Sequence, residues 1–381
     1  MKNKGIYVHI PFCVRKCAYC DFLSFPAGDE LKKAYTGRLL KEIADGSAVS
    51  EGQTVDSIFI GGGTPSVPEA ADIVRILEQI KKSCIVAADA EISIEANPGT
   101  VTEEKLALYR EAGINRISFG AQSFNDDELK LLGRIHRSGD ISECFEAARR
   151  AGFENINLDL MTGLPGQTKE VWSETLDKAI GLSPEHISVY SLIIEEGTAF
   201  YGRYHGADDI RAKGGTQSLL PSEEEERLMV VRGAERLAEA GYAQYEISNY
   251  AREGYECRHN LKYWLREDYL GFGLGAASCL GNFRYKNTSD MKEYLEAEDI
   301  RKDREYLTAE EELSEAIFLG LRLNLGVDIK ELEKEYGADA SCYLEWTEKM
   351  LDEGLLIKKG ENIALSGRGR DLANYVWSGY V

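Results

Sequence analysis

Positive charge is what this chain has least of. Against 65 aspartates and glutamates stand 45 lysines and arginines, a formal net charge of −20. No basic stretch offsets that balance, so nucleic acid is excluded as an expected partner. Long apolar runs are missing too. The uncharged stretch from Gly271 to Phe283 is glycine-rich and too short to cross a bilayer. Met1-Lys-Asn-Lys-Gly5 leads straight into a strand pattern, with no apolar segment or cleavage site of a secretory signal. The expectation is a cytoplasmic protein with no membrane span, for which membrane contact would be peripheral. Eight cysteines in 381 residues are too dilute for a disulfide scaffold. What remains is ordinary globular composition, 43% hydrophobic and 29% charged, in a chain long enough for two or three domains.

Three of the cysteines are not dilute. Cys13, Cys17 and Cys20 fall within eight residues, directly after the apolar run Ile6 to Ile10. Such short spacings converge thiolates on one point and read as a metal site before a disulfide. Soft thiolates select zinc or an iron–sulfur cluster. A cubane cluster ordinarily takes four cysteines, so three leave one iron open for chemistry. The alternative is structural zinc held by the three cysteines and a histidine, with His9 nearest. Cys84, Cys144, Cys257, Cys279 and Cys342 are scattered and read as ordinary buried thiols.

From Gly5 to Leu192 a unit recurs: a short β-branched run, a polar or glycine-rich end, and an amphipathic helical stretch. The predicted strands are 6–10, 57–61, 91–96, 116–120, 156–160 and 186–191, and the helices 31–43, 70–82, 103–111, 141–151 and 171–180. Thr102 and Thr168 read as N-caps, Gly113 and Gly152 as left-handed helix stops. Alternation of this kind implies an α/β fold of parallel strands with right-handed crossovers, either a partial barrel or an open doubly wound sheet. Polar residues crowd the strand ends: His9-Ile-Pro-Phe-Cys13, Gly61-Gly-Gly-Thr-Pro65, Glu95-Ala-Asn-Pro98, Gly120-Ala-Gln122, Asp159-Leu-Met-Thr-Gly163 and Tyr190-Ser191. In a βα barrel that rim carries the active site.

Beyond Leu192 the pattern changes. Residues 194–219, with Gly197, Gly202, Gly206 and Gly214-Gly215, read as a long excursion with little regular structure. A helix is expected from Ser222 to about Ala240, then a strand from Tyr242 to Tyr250. From about Leu307, three helices and a hairpin turning at Gly360 predict a small winged-helix-like unit, too acidic to read as DNA-binding.

The cysteine run together with Gly61-Gly-Gly-Thr-Pro65, Tyr19-Cys-Asp-Phe22, Asp159-Leu-Met-Thr-Gly-Leu-Pro165 and His259-Asn-Leu-Lys-Tyr-Trp264 resembles the HemN/HemW family of radical S-adenosylmethionine (SAM) proteins. The resemblance implies a partial (β/α)6 TIM-like barrel with a C-terminal helical, winged-helix-like domain. The division it implies is 1–195 as barrel core, 196–305 as barrel extension and 306–381 as C-terminal domain. It implies a [4Fe–4S] cluster on Cys13, Cys17 and Cys20, with SAM chelating the open iron. By position, the implied SAM contacts are Tyr7, Tyr19, Gly62, Gly63, Thr64, Glu95, Gln122, Arg134, Asp159, Ile193 and Ala277. A carboxylate at Glu95 or Asp159 suits ribose hydroxyls, and Arg134 suits a carboxylate.

The family holds an oxidase that decarboxylates coproporphyrinogen III through a 5′-deoxyadenosyl radical, and a branch of heme chaperones. The oxidase pattern has a fourth cysteine where this chain has Phe22, and a longer segment ahead of the cluster. Both departures favour the chaperone branch, with heme as cargo and hemoproteins as recipients. There the resemblance associates His259, Asn260, Tyr263 and Trp264 with heme, His259 as a candidate axial ligand, and Arg258, Lys262 and Arg266 as candidate propionate partners.

Overall fold

The computed structural model describes residues 3–46, 54–212 and 219–381. The first unit alternates β1 (Lys4–Ile10), α1 (Asp29–Gly46), β2 (Thr54–Gly62), α2 (Ala70–Ser83), β3 (Ile85–Ala96), α3 (Glu103–Glu111) and β4 (Arg116–Gln122). It continues through α4 (Asp126–Leu132), α5 (Ser138–Arg150), β5 (Ile156–Thr162), α6 (Lys169–Gly181) and β6 (His186–Ser191). The predicted caps do their work: Thr102 accepts from the amide of Lys105 and Thr168 from that of Val171. Gly113 and Gly152 take φ of 98° and 90°, where a side chain would be strained.

Strands β1 to β6 pair in sequence order and in parallel. Their outward residues, among them Ile6, Val8, Ile58, Ile60, Ile94, Ile117, Phe119, Leu158 and Ile187, are fully buried under the helices. That strand–helix layer is the principal core. The inward residues are of another kind: Ser57, Glu91, Ser93, Arg116, Ser118, Asn157, His186 and Ser188 are buried and polar. The β/α unit is thus a partial barrel with a polar lumen.

The remaining elements extend the same sheet. After α7 (Ala199–Ala212) and α8 (Glu223–Glu239) come β7 (Ala243–Gln244), β8 (Asn249–Ala251), α9 (Arg258–Trp264), β9 (Tyr269–Phe272), β10 (Ala277–Leu280), β11 (Phe283–Asn287), α10 (Met291–Glu296) and β12 (Arg301–Tyr306). Strand order is β12-β11-β10-β9-β1-β2-β3-β4-β5-β6-β8-β7, with β9 parallel to β1 and the outer strands antiparallel. Edge strand β12 is exposed throughout and carries alternating charge, which blunts edge pairing.

Two expectations need correction. The stretch read as irregular contains α7, whose weak apolar periodicity hid it; Gly214-Gly215 lies outside the described residues. The strand expected over 242–250 is two short strands about a turn, because Glu246 is drawn inward and its carboxylate accepts the Ser248 amide at 2.9 Å.

The C-terminal unit has its own core around Leu313, Ile317, Leu321, Met350, Leu356 and Val376. Helices α11 (Ala309–Gly320), α12 (Ile329–Tyr336) and α13 (Leu344–Asp352) precede the hairpin β13 (Leu356–Lys359) and β14 (Asn362–Leu365), then α14 (Gly367–Asp371) and α15 (Ala373–Trp377). Three helices and a hairpin are there as expected. It docks on the barrel where the Asn324 amide donates to Tyr245 O and its side-chain Nδ2 to Gln244 O, and where Arg322 stacks on Trp264 at 4.2 Å. Among the described residues, no helix is long and apolar enough to cross a membrane.

Candidate functional site

The cysteine loop leaves β1 at the C-terminal rim and is closed at its base by Phe12 and Phe25. The amide of Cys13 donates to Phe25 O at 3.1 Å, and that of Phe25 to Pro11 O at 2.9 Å. Cys13 Sγ lies 3.5 Å from the Thr64 hydroxyl. Cys17 Sγ lies 3.6 Å from an Arg134 guanidinium nitrogen. Burial raises the Cys20 thiol pKa, Lys16 opposes the shift, and neighbouring Cys17 and Cys13 add to it. All three thiols are free and partly exposed.

The glycine run packs against this loop. A side chain at Gly62 would lie 2.6 Å from the His9 ring, and one at Gly63 would lie 2.9 Å from Phe12 O. Gly62 has φ of 117°, and its amide donates to Glu95 Oε2 at 3.0 Å. The run therefore seats β2 against β1 before it offers anything to a ligand. His9 is fixed in turn: Nδ1 is 2.9 Å from the Tyr7 hydroxyl and Nε2 is 2.9 Å from Leu23 O. Both nitrogens are committed, which removes His9 as the fourth ligand of the zinc alternative.

Around the rim, Arg134 donates to Asn97 Oδ1 at 2.6 Å and to Gly120 O, while its Nε is buried without a partner. Asn97 donates in turn to the Thr64 hydroxyl at 2.9 Å. Gln122 is held at φ of 65°, an unfavourable conformation for a non-glycine residue at a strand end. Tyr19 packs towards Phe200, 6.4 Å between centroids. Ile193 is 68% exposed beyond β6.

Below the rim lies a lumen cavity of about 160 Å³, lined by Tyr7, Glu95, Arg116, Asp159, Tyr190 and Tyr263 among others. Asp159 accepts from Ser118 at 2.9 Å and from Asn157 at 2.8 Å. Burial raises its pKa against these bonds. Glu95 is pushed up to about 8, first by burial and then by Asp159. Two acidic groups thus share a buried chamber with Arg116, whose Nε has no protein partner.

Thr64, Arg134, Glu95, Gln122, Asp159, Tyr7 and Tyr19 cluster with the cysteines at the rim and upper lumen. Ala277 stands on β10, packed against Gly271, which is the register partner of Tyr7. Of the heme-associated residues, His259, Asn260 and Tyr263 line the same lumen cavity as Glu95 and Asp159. Helix α9 plugs the opposite end of the lumen, its N-terminus capped by Glu91, which accepts the amides of Arg258 at 3.0 Å and His259 at 3.2 Å. His259 is fully buried and stacked on Phe59, with Nδ1 3.0 Å from Ser57 Oγ and Nε2 2.9 Å from the Tyr263 hydroxyl. Burial, Lys262 and Arg116 push its pKa down to about 3, so the ring is neutral and fully bonded. An iron atom would have to displace Ser57 or Tyr263 to reach it. Lys262 is ion-paired with Asp56 and Glu267, and Arg266 with Glu312 and Glu315, so neither buried cation waits for a propionate.

Of the scattered cysteines, Cys144 and Cys257 are buried as expected; Cys84 and Cys279 are half-buried and Cys342 is exposed. The strand-end residue Tyr190 lines the lumen as expected; the residues missed from sequence are Arg116, Ser118, Asn157 and Ser188. Their signal is a period-2 alternation inside the strands, such as Arg116 and Ser118 on β4 or Asn157 and Asp159 on β5.

Comparison with known proteins agrees with this arrangement. Residues 7–179 match the radical SAM superfamily model and 307–372 the HemN C-terminal domain. The heme chaperone HemW of Bacillus subtilis (strain 168) is 38% identical over 99% of both chains. That of Lactococcus lactis subsp. lactis is 34% identical, covering 100% of this chain and 98% of the relative, and that of Escherichia coli (strain K12) is 42% identical over 71% and 69%. Among solved structures, the radical SAM enzyme coproporphyrinogen III oxidase (HemN) from Escherichia coli superposes with a TM-score of 0.84 at 25% identity, covering 99% of this chain and 90% of its own. Identity at this level along the whole chain is decisive, and the chain belongs to the HemW family within the radical SAM superfamily.

Proposed function

We propose that this protein is a cytoplasmic heme chaperone that holds a [4Fe–4S] cluster and SAM in its barrel and carries heme to hemoproteins. The donor chemistry of the residues suits the cofactors. Cys13, Cys17 and Cys20 supply three thiolates, leaving one iron for SAM. The buried, unpartnered Nε of Arg134, beside Cys17, is a donor waiting for an anion such as SAM's carboxylate. A cluster held there would supply one-electron reduction chemistry to SAM.

The chain's own residues do the positioning. Thr64 and the Gly62–Gly63 main chain border the cluster loop, Gln122 and Tyr19 flank the rim, and Glu95 and Asp159 offer acceptors to ribose hydroxyls. Tyr7 braces His9 from within the lumen. In this reading the core 1–195 carries the cofactors, 196–305 extends and plugs the barrel, and 306–381 completes the molecule.

The observation that carries the chaperone reading is Phe22. It stands 65% exposed at the position where the oxidase pattern has a further cysteine. The test is anaerobic reconstitution, then hemin titration and, separately, incubation with reductant, SAM and coproporphyrinogen III. We expect a brown protein that binds heme and releases it to an apo-hemoprotein. Formation of protoporphyrinogen would replace this reading with the oxidase, and a colourless zinc-bound protein would remove both.

A further inference from the structure

A second cavity, of about 430 Å³, lies outside the lumen, and Tyr263 lines both. Its floor follows from strand register. Tyr269, Cys279, Arg284 and Glu305 pair successively across β9, β10, β11 and β12 and so stand in one row. The next row sets Ala277 beside Lys286. That row is flat next to β1, since Gly271 comes so close to Ala277 that a Cβ would lie 2.1 Å from its carbonyl oxygen. Phe318 and Leu319 of α11 line the cavity from the C-terminal unit. The result is a slot between aromatic and aliphatic walls, with one thiol in its floor, donating to Gly281 O at 3.8 Å, and a rim where Arg266, Arg284 and Lys286 meet Glu267, Asp303, Glu305 and Glu315. Its volume is in the range of sites for drug-sized ligands.

The cations are not equivalent. Arg266 is buried, 4% exposed, and locked by Glu312 and Glu315. Arg284 and Lys286 meet Glu305 and Asp303 in pairs whose members are 41–67% exposed; Arg284 also touches Glu315. Exposed pairs of this kind contribute little and exchange partners readily. An incoming carboxylate can take the place of Glu305 or Asp303 without stranding a buried charge.

We infer that this cleft is the heme-carrying site, with one porphyrin face lying over the β9–β12 floor, propionates on Arg284 and Lys286, and Cys279 Sγ on the iron. The inference rests on the heme-carrier reading and adds a location to it. On ligation the Cys279 thiol loses its proton to solvent as the Sγ–Fe bond forms, and the iron keeps its oxidation state. Cysteine thiolate is an established protein ligand of heme iron. A half-open slot with one axial bond and exchangeable rim pairs suits cargo that must leave again. His259, sealed in the barrel floor with both nitrogens bonded, offers none of this.

The test is anaerobic titration of cluster-loaded protein with hemin, using a phosphine reductant because added thiols would themselves ligate iron. Three proteins are compared: wild type, Cys279→Ser, and Arg284→Glu with Lys286→Glu. Cluster absorbance in each confirms folding. We expect the double charge reversal to weaken hemin binding at least tenfold. Cys279→Ser should move the Soret band while leaving affinity for iron-free protoporphyrin IX unchanged. A wild type that binds no hemin overturns the heme-carrier reading itself. Wild-type binding with full affinity in the double variant overturns the cleft, and an unmoved Soret band in Cys279→Ser overturns the ligand.

Discussion

Glu95 gives the most quantitative handle on the chamber. Burial and Asp159 push its pKa up to about 8, against an ordinary value of 4.5. Between those values the folded protein keeps a proton on Glu95 that the unfolded chain releases. Stability attributable to this group is therefore fully present below about pH 4.5 and is lost as pH rises towards 8. The slope is about 1.4 kcal/mol per pH unit, and its sum over the window is at most roughly 5 kcal/mol. Glu95→Gln keeps an acceptor for the Gly62 amide and cannot ionise. The assay is urea unfolding of cluster-free protein from pH 5 to 8.5 under anaerobic reducing conditions. We expect the variant to gain on wild type steadily with pH, by a few kcal/mol at the alkaline end. Parallel pH profiles for the two proteins would refute the argument, because a Glu95 that ionises normally contributes no slope in this range.

Two further outcomes follow from packing. Gly62→Ala sets a Cβ 2.6 Å from the His9 ring at a backbone φ of 117°, so both backbone strain and a clash arise where β2 meets the cysteine loop. A loss of about 2–4 kcal/mol and failure of cluster reconstitution are expected, and an intact brown chromophore would contradict the packing role. Arg322→Ala removes a guanidinium stacked between Trp264 at 4.2 Å and Trp377 at 5.5 Å, and strands the fully buried Glu246. A loss of about 2–4 kcal/mol and faster proteolysis between the barrel and the C-terminal unit are expected; unchanged cleavage would mean the stack does not hold the two together.

The parallel unit was readable because its signals are local. Apolar runs, Thr102 and Thr168 caps, and Gly113 and Gly152 stops are all written within a few residues of where they act. Helix α4 carried equally plain signals, Asn125 capping Asp127 and Glu128 and Gly133 at φ of 76°, and was overlooked only because it is short. The rim was legible from strand ends. The lumen was not, because attention to where strands stop missed the alternation within them. The antiparallel extension was illegible for another reason: Gly271 and Ala277 are small because strands crowd there, a fact of tertiary packing. Nor could sequence tell that His259 faces inward, since a motif spacing gives one helix face without saying what covers it.

Helix α9 is only seven residues long, too short to persist alone in water. It exists because Ser57 of β2, Glu91 of β3, and the Asp56 and Glu267 carboxylates around Lys262 receive it. Those partners make the helix conditional on the sheet: with β2 and β3 apart, nothing holds α9 in place. Trp264 then no longer presents the face on which Arg322 stacks. The C-terminal unit has a core of its own, but its seat on the barrel is lent by α9 and so depends on the lumen that α9 closes.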